Sequence, residues 1–431
     1  MEEKNTARPK WMKKGGIDEV EFCQQFRQIH DVICVNGTFF SREGRITDER
    51  ILRKWIYDMI SSYISCNVSR RVDSLLSALR LDSSGMQLMD KDTVIHVANG
   101  TLHLIKGFSP YKHHCRYRLR ANYDPTLQYP KRWLEFLADL LEPEDILTLQ
   151  EYLGYCLIPT TVGQKMLIIT GQGGEGKSRI GIVMKHLFGD ALSVGSLSKV
   201  ETNRFARADL EHLLVMVDDD LKLEALPDTN YIKSIITAET PMDLEKKGEQ
   251  SYQGKLNVRF LAFGNDTLQA LHDRSYGFFR RQIILTAKPV RPDREDDPLL
   301  AEQLKQDIDG IFLWCLAGLY RLMDQNFRFT VSQKAKDNLS SSMRAGNNIL
   351  QFMESDGYFR YDENDHVTSR YFYSLYKQWC EDNMLTPLTP KTFWSFLSQN
   401  RDHYHLRTSN KVPIGQGRYA RGFWGIHALL R

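Results

Sequence analysis

The sequence predicts an α/β fold built on a central parallel sheet; two observations support the sheet, and a third, the chain length, indicates more than one domain. Between about 146 and 330, four apolar runs lack the alternation of a half-exposed strand: KMLIIT, HLLVMVD, VRFLAFGN and RQIILTA. Stretches with helical spacing, such as SRIGIVMKHLFG, separate these runs. A chain of 431 residues is also too long for one ordinary core. Apolar strands that alternate with helices are typical of a parallel sheet covered on both faces.

We expect three domains. Residues 1–145 mix helical and strand patterns and predict a small α+β domain ahead of the sheet. Residues 146–330 contain the sheet itself. Residues 331–431 start with a polar helical stretch, continue through the turn-rich segment DGYFRYDENDH, and end in a unit of two helices and two strands. We interpret the turn-rich segment as a linker.

Short local signals place some of these elements. Asp48 is a suitable cap for the helix that follows it, because its side chain can accept from a free backbone N–H. Asn99-Gly100 is the strongest short hairpin signal in the chain. Thr389 and Pro390 are typical of a helix start.

Composition is that of a globular protein, with 42% apolar and 26% charged residues. The net charge of +3 gives no bulk electrostatic case for nucleic-acid binding, so any such surface must come from local patches. Seven scattered cysteines without zinc spacing predict reduced thiols and a cytoplasmic location. The N-terminal residues lack the apolar stretch of a signal peptide. The longest apolar run, IFLWCLAGLYRLM, is too short to cross a bilayer and includes Arg321, so we expect a buried helix and no membrane partner.

The segment TGQGGEGKSRIG fits the phosphate-binding pattern GxxxxGK[ST] and lies between a predicted strand and a predicted helix, which is the context that the pattern requires. Glycines allow backbone N–H groups to converge on phosphate oxygens, and the helix start adds a positive dipole. We expect the lysine to contact the β and γ phosphates of ATP and the serine hydroxyl to ligate Mg²⁺. The predicted nucleotide-binding residues are Gly171, Gly173, Gly174, Gly176, Lys177 and Ser178.

A second metal-binding position lies at the end of the apolar strand LLVMVDDD, which ends in Asp218, Asp219 and Asp220. One carboxylate at this strand end would hold Mg²⁺ and its neighbour would polarise the attacking water. Two registers are open, 218/219 and 219/220, and Asp219 belongs to both. The alternative is an acidic helix cap or a solvated turn.

Polar residues also lie at the ends of the last two predicted strands. An asparagine ends the first of these strands, and arginines precede or begin the second. Asn265 ends VRFLAFGN and could orient water or contact the γ phosphate. Arg274, Arg280 and Arg281 precede or begin RQIILTA, and an arginine at the γ phosphate is often supplied by a neighbouring subunit. Surface charge at a strand start is the simpler explanation of any one of them.

The order of these motifs resembles that of superfamily III helicases, the AAA+ ring motors of viruses, phages and plasmids. The nearest resemblance is to the phage and plasmid primase–helicase group related to the poxvirus primase–helicase. VANGTLHL, YDPTLQYPKRWLEFL and LQEYLGYCL are similar to the domain just ahead of that motor. YFYSLYKQWCEDN, KTFWSFLSQN and GFWGI are similar to its C-terminal winged-helix unit. The resemblance implies an AAA+ P-loop motor between an α+β pre-motor domain and a winged-helix domain.

The resemblance also assigns roles in the motor. Asp219 and Asp220 become the favoured acidic pair, because an apolar residue follows the pair directly in the family. Asn265 corresponds to the sensor, and Arg280 or Arg281 to the arginine finger.

DNA-binding residues are expected in two places. EKKGEQSYQGK corresponds to the hairpin that projects into the ring channel, where Lys246 and Lys247 would grip the backbone and Tyr252 could stack on a base. Without the resemblance, these lysines would read as a solvated turn. In the C-terminal unit, Lys391 on the second helix and Arg418 between the strands would contact DNA as helix and wing. The alternative for this unit is protein docking.

The resulting expectation is an ATP-dependent, ring-forming DNA helicase, as a homo-oligomer and by resemblance a hexamer. It would use Mg²⁺ and ATP to translocate on single-stranded DNA in the 3′-to-5′ direction and to separate double-stranded DNA, during replication of a phage, plasmid or other mobile element. Since the chain has room only for the pre-motor domain, a separate primase or polymerase would prime synthesis. Two alternatives stay open: an origin-binding or loading ATPase, and a P-loop kinase of a small molecule.

Overall fold

The structure is a computed structural model and describes residues 8–82, 87–221, 228–265, 276–293 and 297–429. The chain divides into two compact units. Unit 1 comprises Met1–Leu268 with Arg280–Lys336, and unit 2 comprises Gln269–Phe279 with Asp337–Arg431. Most residues of the first two expected domains therefore lie together in unit 1, and residues 269–279 belong to unit 2.

The first part of unit 1 contains helices and short antiparallel strands. In chain order they are β1 (Met12–Lys13), β2 (Gly16–Ile17), α1 (Glu19–His30), β3 (Ile33–Val35), β4 (Thr38–Ser41), β5 (Gly44–Arg45), α2 (Glu49–Ile60), α3 (Val68–Asp82), β6 (Val94–Val97), β7 (Gly100–His103), β8 (Gly107–Ser109), α4 (Lys131–Leu140) and α5 (Pro143–Tyr155). Strands β3–β5 and β6–β8 form two three-stranded sheets. As the sequence predicts, Asp48 caps α2 by accepting from the backbone N–H of Arg50.

The hairpin predicted at Asn99-Gly100 forms between β6 and β7, one residue earlier than the signal suggests. Val97 pairs with Gly100, so Ala98 and Asn99 make the two-residue turn. Gly100 is required for a different reason, because a Cβ there would lie 2.2 Å from the carbonyl oxygen of Ser109. The glycine therefore permits close approach of the β7–β8 backbone rather than the turn itself.

The second part of unit 1 holds the parallel sheet and its helices. In chain order these are β9 (Met166–Thr170), α6 (Ser178–Phe188), the 3₁₀ turn Gly189–Ala191, β10 (Leu192–Val194), α7 (Leu197–Thr202), α8 (Arg204–Ala208), β11 (Val215–Leu221), α9 (Asn230–Thr237), β12 (Met242–Leu244), β13 (Tyr252–Gly254), β14 (Arg259–Gly264), α10 (Tyr276–Phe279, which belongs to unit 2), β15 (Gln282–Thr286), α11 (Leu300–Gln306) and α12 (Ile308–Asp324). Five parallel strands form the sheet in the order β10-β11-β14-β9-β15. This confirms the predicted α/β fold with a central parallel sheet.

Helices α5 and α12 pack against each other with little space between their backbones. A Cβ on Gly154 would lie 2.4 Å from the carbonyl oxygen of Cys315, and a Cβ on Gly318 would lie 2.2 Å from that of Gln150. Beside this crossing, Nε of Arg321 lies 2.7 Å from Oε1 of the fully buried Glu151. The apolar run with an internal arginine is therefore a buried helix, as predicted, and its arginine is paired.

Unit 2 combines helices with a three-stranded antiparallel sheet. Its further elements are α13 (Gln333–Gly346, which begins in unit 1), α14 (Asn348–Met353), β16 (Phe359–Thr368), α15 (Ser369–Asp382), α16 (Pro390–Gln399), β17 (Arg407–Pro413) and β18 (Tyr419–Ala428). The strands pair in the order β16-β18-β17. Thr389 caps α16, as predicted, and Phe393 and Leu397 of that helix are buried in an aromatic-rich core.

The linker predicted at DGYFRYDENDH is wrong, because most of this segment belongs to β16. The strand lies at the edge of its sheet, and its pairing with β18 is irregular between Asp362 and His366. Polar, turn-forming residues are tolerated there, since one face of an edge strand is open to solvent and a bulge needs no regular partner. The segment therefore resembles a loop in composition and is a strand in the fold.

All seven cysteines are free thiols, and of these only Cys66 is exposed. In the part of the chain that the structure describes, no helix has the length and apolar character needed to cross a bilayer.

Candidate functional site

The glycine-rich loop follows β9 directly and leads into α6, which begins at Ser178. Gly173, Gly174 and Gly176 have φ values of +104°, +84° and +96°. Side chains disfavour this left-handed region, so the loop needs glycine at these three positions. In the turn that they produce, the backbone N–H groups of Gln172 and Gly173 converge on one oxygen, Oε1 of Glu175.

Inside this loop a carboxylate and an ammonium group meet. Lys177 Nζ lies 2.6 Å from Glu175 Oε2, and both side chains are buried. Glu175 Oε1 accepts from the backbone N–H of Gly173 across 2.9 Å and also from that of Gln172. Burial raises the pKa of Glu175, but the hydrogen bonds from Lys177 and from backbone N–H groups outweigh it and leave this pKa below its ordinary value. The carboxylate is therefore the anion that the loop holds here.

The sheet order brings Asn265 next to the loop. Strand β14 lies between β9 and β11, so the carboxyl ends of these three strands meet at one end of the sheet. The backbone N–H of Gly171 donates to the carbonyl oxygen of Gly264 across 3.1 Å. Oδ1 of Asn265 lies 3.9 Å from the position that a Cβ on Gly173 would take. The predicted sensor side chain thus faces the predicted phosphate loop.

The three aspartates at the end of β11 differ in environment. Asp218 is buried, and its Oδ2 accepts from the backbone N–H of Leu197 across 2.8 Å. Burial raises the pKa of Asp218 above its ordinary value. Asp219 and Asp220 are exposed and lie at an irregularity in the pairing of β11 with β14. Two of the three carboxylates are therefore accessible from outside the fold, and the third caps α7.

These donors suit Mg²⁺, which prefers hard oxygen ligands and keeps several waters. Among the described residues, no group of three or more histidine, cysteine, aspartate or glutamate side chains could hold a metal ion on its own. A magnesium ion here would rest on the Ser178 hydroxyl and on Asp219 or Asp220, together with oxygens of the nucleotide.

The two arginines lie at the other end of the sheet. Arg280 and Arg281 immediately precede β15, which runs parallel to β9 with Gln282 opposite Met166. A strand of five residues is roughly 15 Å long, more than the length of an arginine side chain. The structure therefore does not bring Arg280 and Arg281 to the loop of their own chain. Arg274 lies outside the described residues.

Lys165 is a further cation at this end of the sheet, and no motif in the sequence marks it. Its Nζ donates to the carbonyl oxygen of Arg280. Burial lowers the pKa of Lys165, and the nearby Arg280 and Arg281 lower it further. The sequence signal for Lys165 is its position at the start of the apolar run KMLIIT. Strands β9 and β15 are neighbours and start at the same end of the sheet, so the residues just before each strand lie close together.

The predicted hairpin is formed by β12 and β13, and its two lysines differ. Nζ of Lys246 lies 3.2 Å from Glu211 Oε2 and 5.2 Å from the ring centre of Tyr252. The Tyr252 hydroxyl donates to the same carboxylate across 2.7 Å. Lys247, by contrast, is exposed. The structure thus presents Lys247 to solvent and holds Lys246 and Tyr252 against the nearly buried Glu211.

In unit 2, the two predicted DNA-binding residues are both exposed. Lys391 lies in the first turn of α16, and Arg418 lies in the turn between β17 and β18. Their contact with DNA stays a prediction.

Comparison with known proteins gives a family match and a structural match. A family of unknown function (DUF5906) matches residues 169–281, which include the loop, the aspartates, the hairpin and the arginine pair. No curated protein matches the chain.

The solved structures that resemble the chain include two of one protein. The apo structure of the NrS-1 C-terminal region has a TM-score of 0.53 at 10% identity and covers 95% of this chain and 99% of that one. The A form apo structure of the same region has a TM-score of 0.51 at 12% identity, covering 91% and 88%. At this level of identity the likeness establishes a shared fold over most of both chains.

Proposed function

We propose that the chain is an ATP-dependent, ring-forming DNA helicase of the AAA+ type, with its motor in unit 1 and a winged-helix domain in unit 2. One observation carries the proposal most strongly. The loop, the asparagine and two exposed aspartates meet at the carboxyl end of the sheet, while the arginines lie at its amino end. This arrangement supports a catalytic site divided between the two ends of one sheet, which neighbouring copies in a ring would complete.

The half-site at the carboxyl end would bind and position ATP. Loop amides and Lys177 hold the β and γ phosphates, and Ser178 with Asp219 hold the metal. Asp220 takes the water proton or orients the water, and Asn265 aligns that water from its position beside Gly173. Bound Mg²⁺ would supply charge neutralisation at the phosphates.

The half-site at the amino end would act on the nucleotide of the next copy. An arginine that cannot reach its own loop can still stabilise charge on a γ phosphate bound by a neighbour, and such a contact is worth about 10³ to 10⁵ in rate. Head-to-tail contacts of this kind close into a ring when the rotation between copies allows it. The resemblance of the sequence to superfamily III helicases favours six copies.

Movement along DNA would use the hairpin and the C-terminal unit. Lys247 is exposed on the β12–β13 hairpin and suits contact with a phosphate backbone. Lys391 and Arg418 of unit 2 suit contact with double-stranded DNA. By the same resemblance, the setting is replication of a phage, plasmid or other mobile element, with a 3′-to-5′ direction and a separate priming enzyme.

The decisive experiment mixes two inactive variants. Lys177→Ala removes the loop cation and Arg280→Ala removes the candidate trans arginine, so each alone should lose DNA-stimulated ATP hydrolysis. In an equal mixture, roughly one quarter of the interfaces combine an intact loop with an intact arginine. Activity should therefore return to about a quarter of the wild-type rate. Because Arg281 is adjacent, Arg281→Ala is tested in parallel.

Two results would contradict the proposal in different ways. Full hydrolysis by a monomer, with no recovery on mixing, would favour a P-loop kinase or another monomeric enzyme. Recovery of hydrolysis without any strand separation on a forked duplex would favour an origin-binding or loading ATPase.

A further inference from the structure

We infer that Glu175 is an internal occupant of the phosphate site, which holds the loop in shape when nucleotide is absent and must leave before a triphosphate can bind. The inference rests on the proposed nucleotide-binding function and adds to it a competitor within the chain. We therefore expect wild type to bind nucleotide more weakly than a variant whose loop lacks this competitor.

The first argument is the set of donors that Glu175 uses. Its Oε2 lies 2.6 Å from Nζ of Lys177, and its Oε1 accepts from the backbone N–H groups of Gly173 and Gln172. A lysine ammonium and successive loop amides are the donors that a GxxxxGK[ST] loop offers to phosphate oxygens. Both oxygens of the carboxylate thus take hydrogen bonds that a bound phosphate would need.

The second argument is space. A Cβ on Gly171 would lie 2.5 Å from Glu175 Oε1 and 2.8 Å from Lys177 Nζ, so these groups pack tightly against the start of the loop. Only 3% of Glu175 is exposed. A phosphate that reached Lys177 in this arrangement would meet a buried like charge, and the two anions repel each other strongly at low dielectric. Occupation by Glu175 and occupation by phosphate therefore exclude each other.

The third argument concerns the free energy of burying Lys177 in the empty loop. Burying an ion pair brings little net stability, because desolvation offsets the attraction. The pair nevertheless satisfies Lys177, which would otherwise be a buried and uncompensated charge in the empty loop. Glu175 thus lets the loop remain preformed without ligand, and the consequence is that only the fraction of molecules with Glu175 displaced can bind nucleotide.

The size of the effect follows from that fraction. If the displaced state makes up about 1–10% of the empty protein, removing the competitor raises the apparent affinity for nucleotide by about 10- to 100-fold. The side chain length matters as well as its charge. Aspartate is one methylene shorter and cannot reach both Lys177 and the loop amides, so it should also release the site.

The test is calorimetric titration of full-length protein with MgADP, which avoids turnover. We compare wild type with Glu175→Ala, Glu175→Asp and Glu175→Gln, using Glu144→Ala as a control that removes an exposed glutamate of α5. The Ala and Asp variants should bind about 10- to 100-fold more tightly. The affinity of Glu175→Gln for MgADP should lie between that of these two variants and that of wild type. Its amide oxygen can still accept a hydrogen bond, but its negative charge is gone. The control should match wild type.

Each result decides the inference. Unchanged or weaker binding by Glu175→Ala and Glu175→Gln, in variants whose circular dichroism matches wild type, would overturn it. Tighter binding by Ala with wild-type binding by Asp would also overturn it, because charge alone would then explain the gain. The variant Lys177→Ala distinguishes failure of this inference from failure of the proposed nucleotide binding. If wild type binds MgADP and Lys177→Ala binds it equally well, nucleotide binding at this loop is wrong, and the inference falls with it.

Discussion

Oδ2 of Asp218 and the backbone nitrogen of Leu197 lie 2.8 Å apart, and the carboxylate accepts a hydrogen bond from the first residue of α7. This contact gives Asp218, the first of the three aspartates at the end of β11, a structural role. Asp219 and Asp220, which follow it, remain exposed. The two registers that the sequence leaves open therefore make different predictions for mutants.

Substitution of the three aspartates by asparagine should separate their roles. Asp219→Asn and Asp220→Asn should each lower DNA-stimulated ATP hydrolysis by about 10²-fold or more, because they remove a metal ligand or the group that activates water. Asp218→Asn keeps an oxygen that accepts from Leu197, so its hydrolysis should stay within a few-fold of wild type. The opposite ranking, with Asp218→Asn inactive and Asp220→Asn active, would contradict the 219/220 assignment.

Release of Lys246 from Glu211 should strengthen binding to single-stranded DNA. Glu211→Gln keeps the contact with the Tyr252 hydroxyl but removes the charge that holds Lys246. We expect several-fold tighter binding and a salt dependence steeper by about 0.7 in log–log slope, measured by fluorescence anisotropy. Adding Lys246→Ala should cancel the gain. If the double variant binds as tightly as Glu211→Gln, the effect comes from general charge and not from this lysine.

The C-terminal unit should contribute phosphate contacts to double-stranded DNA. Lys391→Ala and Arg418→Ala should each weaken binding and reduce the salt slope by about 1. Lys377, an exposed lysine of α15 outside the predicted helix and wing, provides the matched control through Lys377→Ala. Equal affinity and slope for all three variants and wild type would favour protein docking as the role of this unit.

One buried histidine, His96, and one partly buried histidine, His212, should make the protein less stable in mild acid. Burial lowers the pKa of His212 to about 3, with nearby Arg116 lowering it further, and burial lowers that of His96 to about 4. Unfolded histidine takes up a proton below about pH 6.5, whereas these native histidines do not until the pH is lower. The free energy of unfolding should thus fall between pH 7 and 5, by about 2 kcal/mol or less per histidine.

Urea unfolding as a function of pH checks this prediction. His212→Asn removes one titrating group, so the stability of this variant should depend less steeply on pH than that of wild type. A variant curve parallel to that of wild type between pH 7 and 5 would contradict it.

The buried pair between α5 and α12 should be important for stability. Glu151 takes hydrogen bonds from Arg321 and from the backbone N–H and hydroxyl of Thr330. Arg321→Met leaves this buried carboxylate without its cation and should cost about 3 kcal/mol in thermal or chemical unfolding. Lys131→Met, which breaks an exposed pair with Glu135, should change the melting temperature little. Equal effects of the two substitutions would show that burial of the pair is not decisive.

Much of the sheet could be predicted because its strands are unambiguous in sequence. Strands β9, β14 and β15 and the first three residues of β11 are largely apolar and buried. Strand β10 was missed, since its three residues carry no periodic signal. The composition of strand β16 predicts a linker instead of a strand, because exposed edge positions accept turn-forming residues.

The candidate site could be located from sequence, but its contacts could not. The GxxxxGK[ST] pattern identifies the loop because its glycines serve backbone geometry that is local. The role of Asp218, the pairing of Lys246 with Glu211 and the proximity of Lys165 to Arg280 depend on residues far apart in the chain. Such contacts follow from strand order, which the sequence pattern does not specify.

The separation of Gly171 and Arg280 along the sheet has a consequence for partial assemblies. In an open row of copies, the first member would keep a loop that no arginine faces, and the last would keep an arginine with no triphosphate to meet. Only closure removes both defective ends. An open fragment would therefore have one complete site fewer than the number of its copies, and the fraction of activity lost would be largest for the smallest fragments.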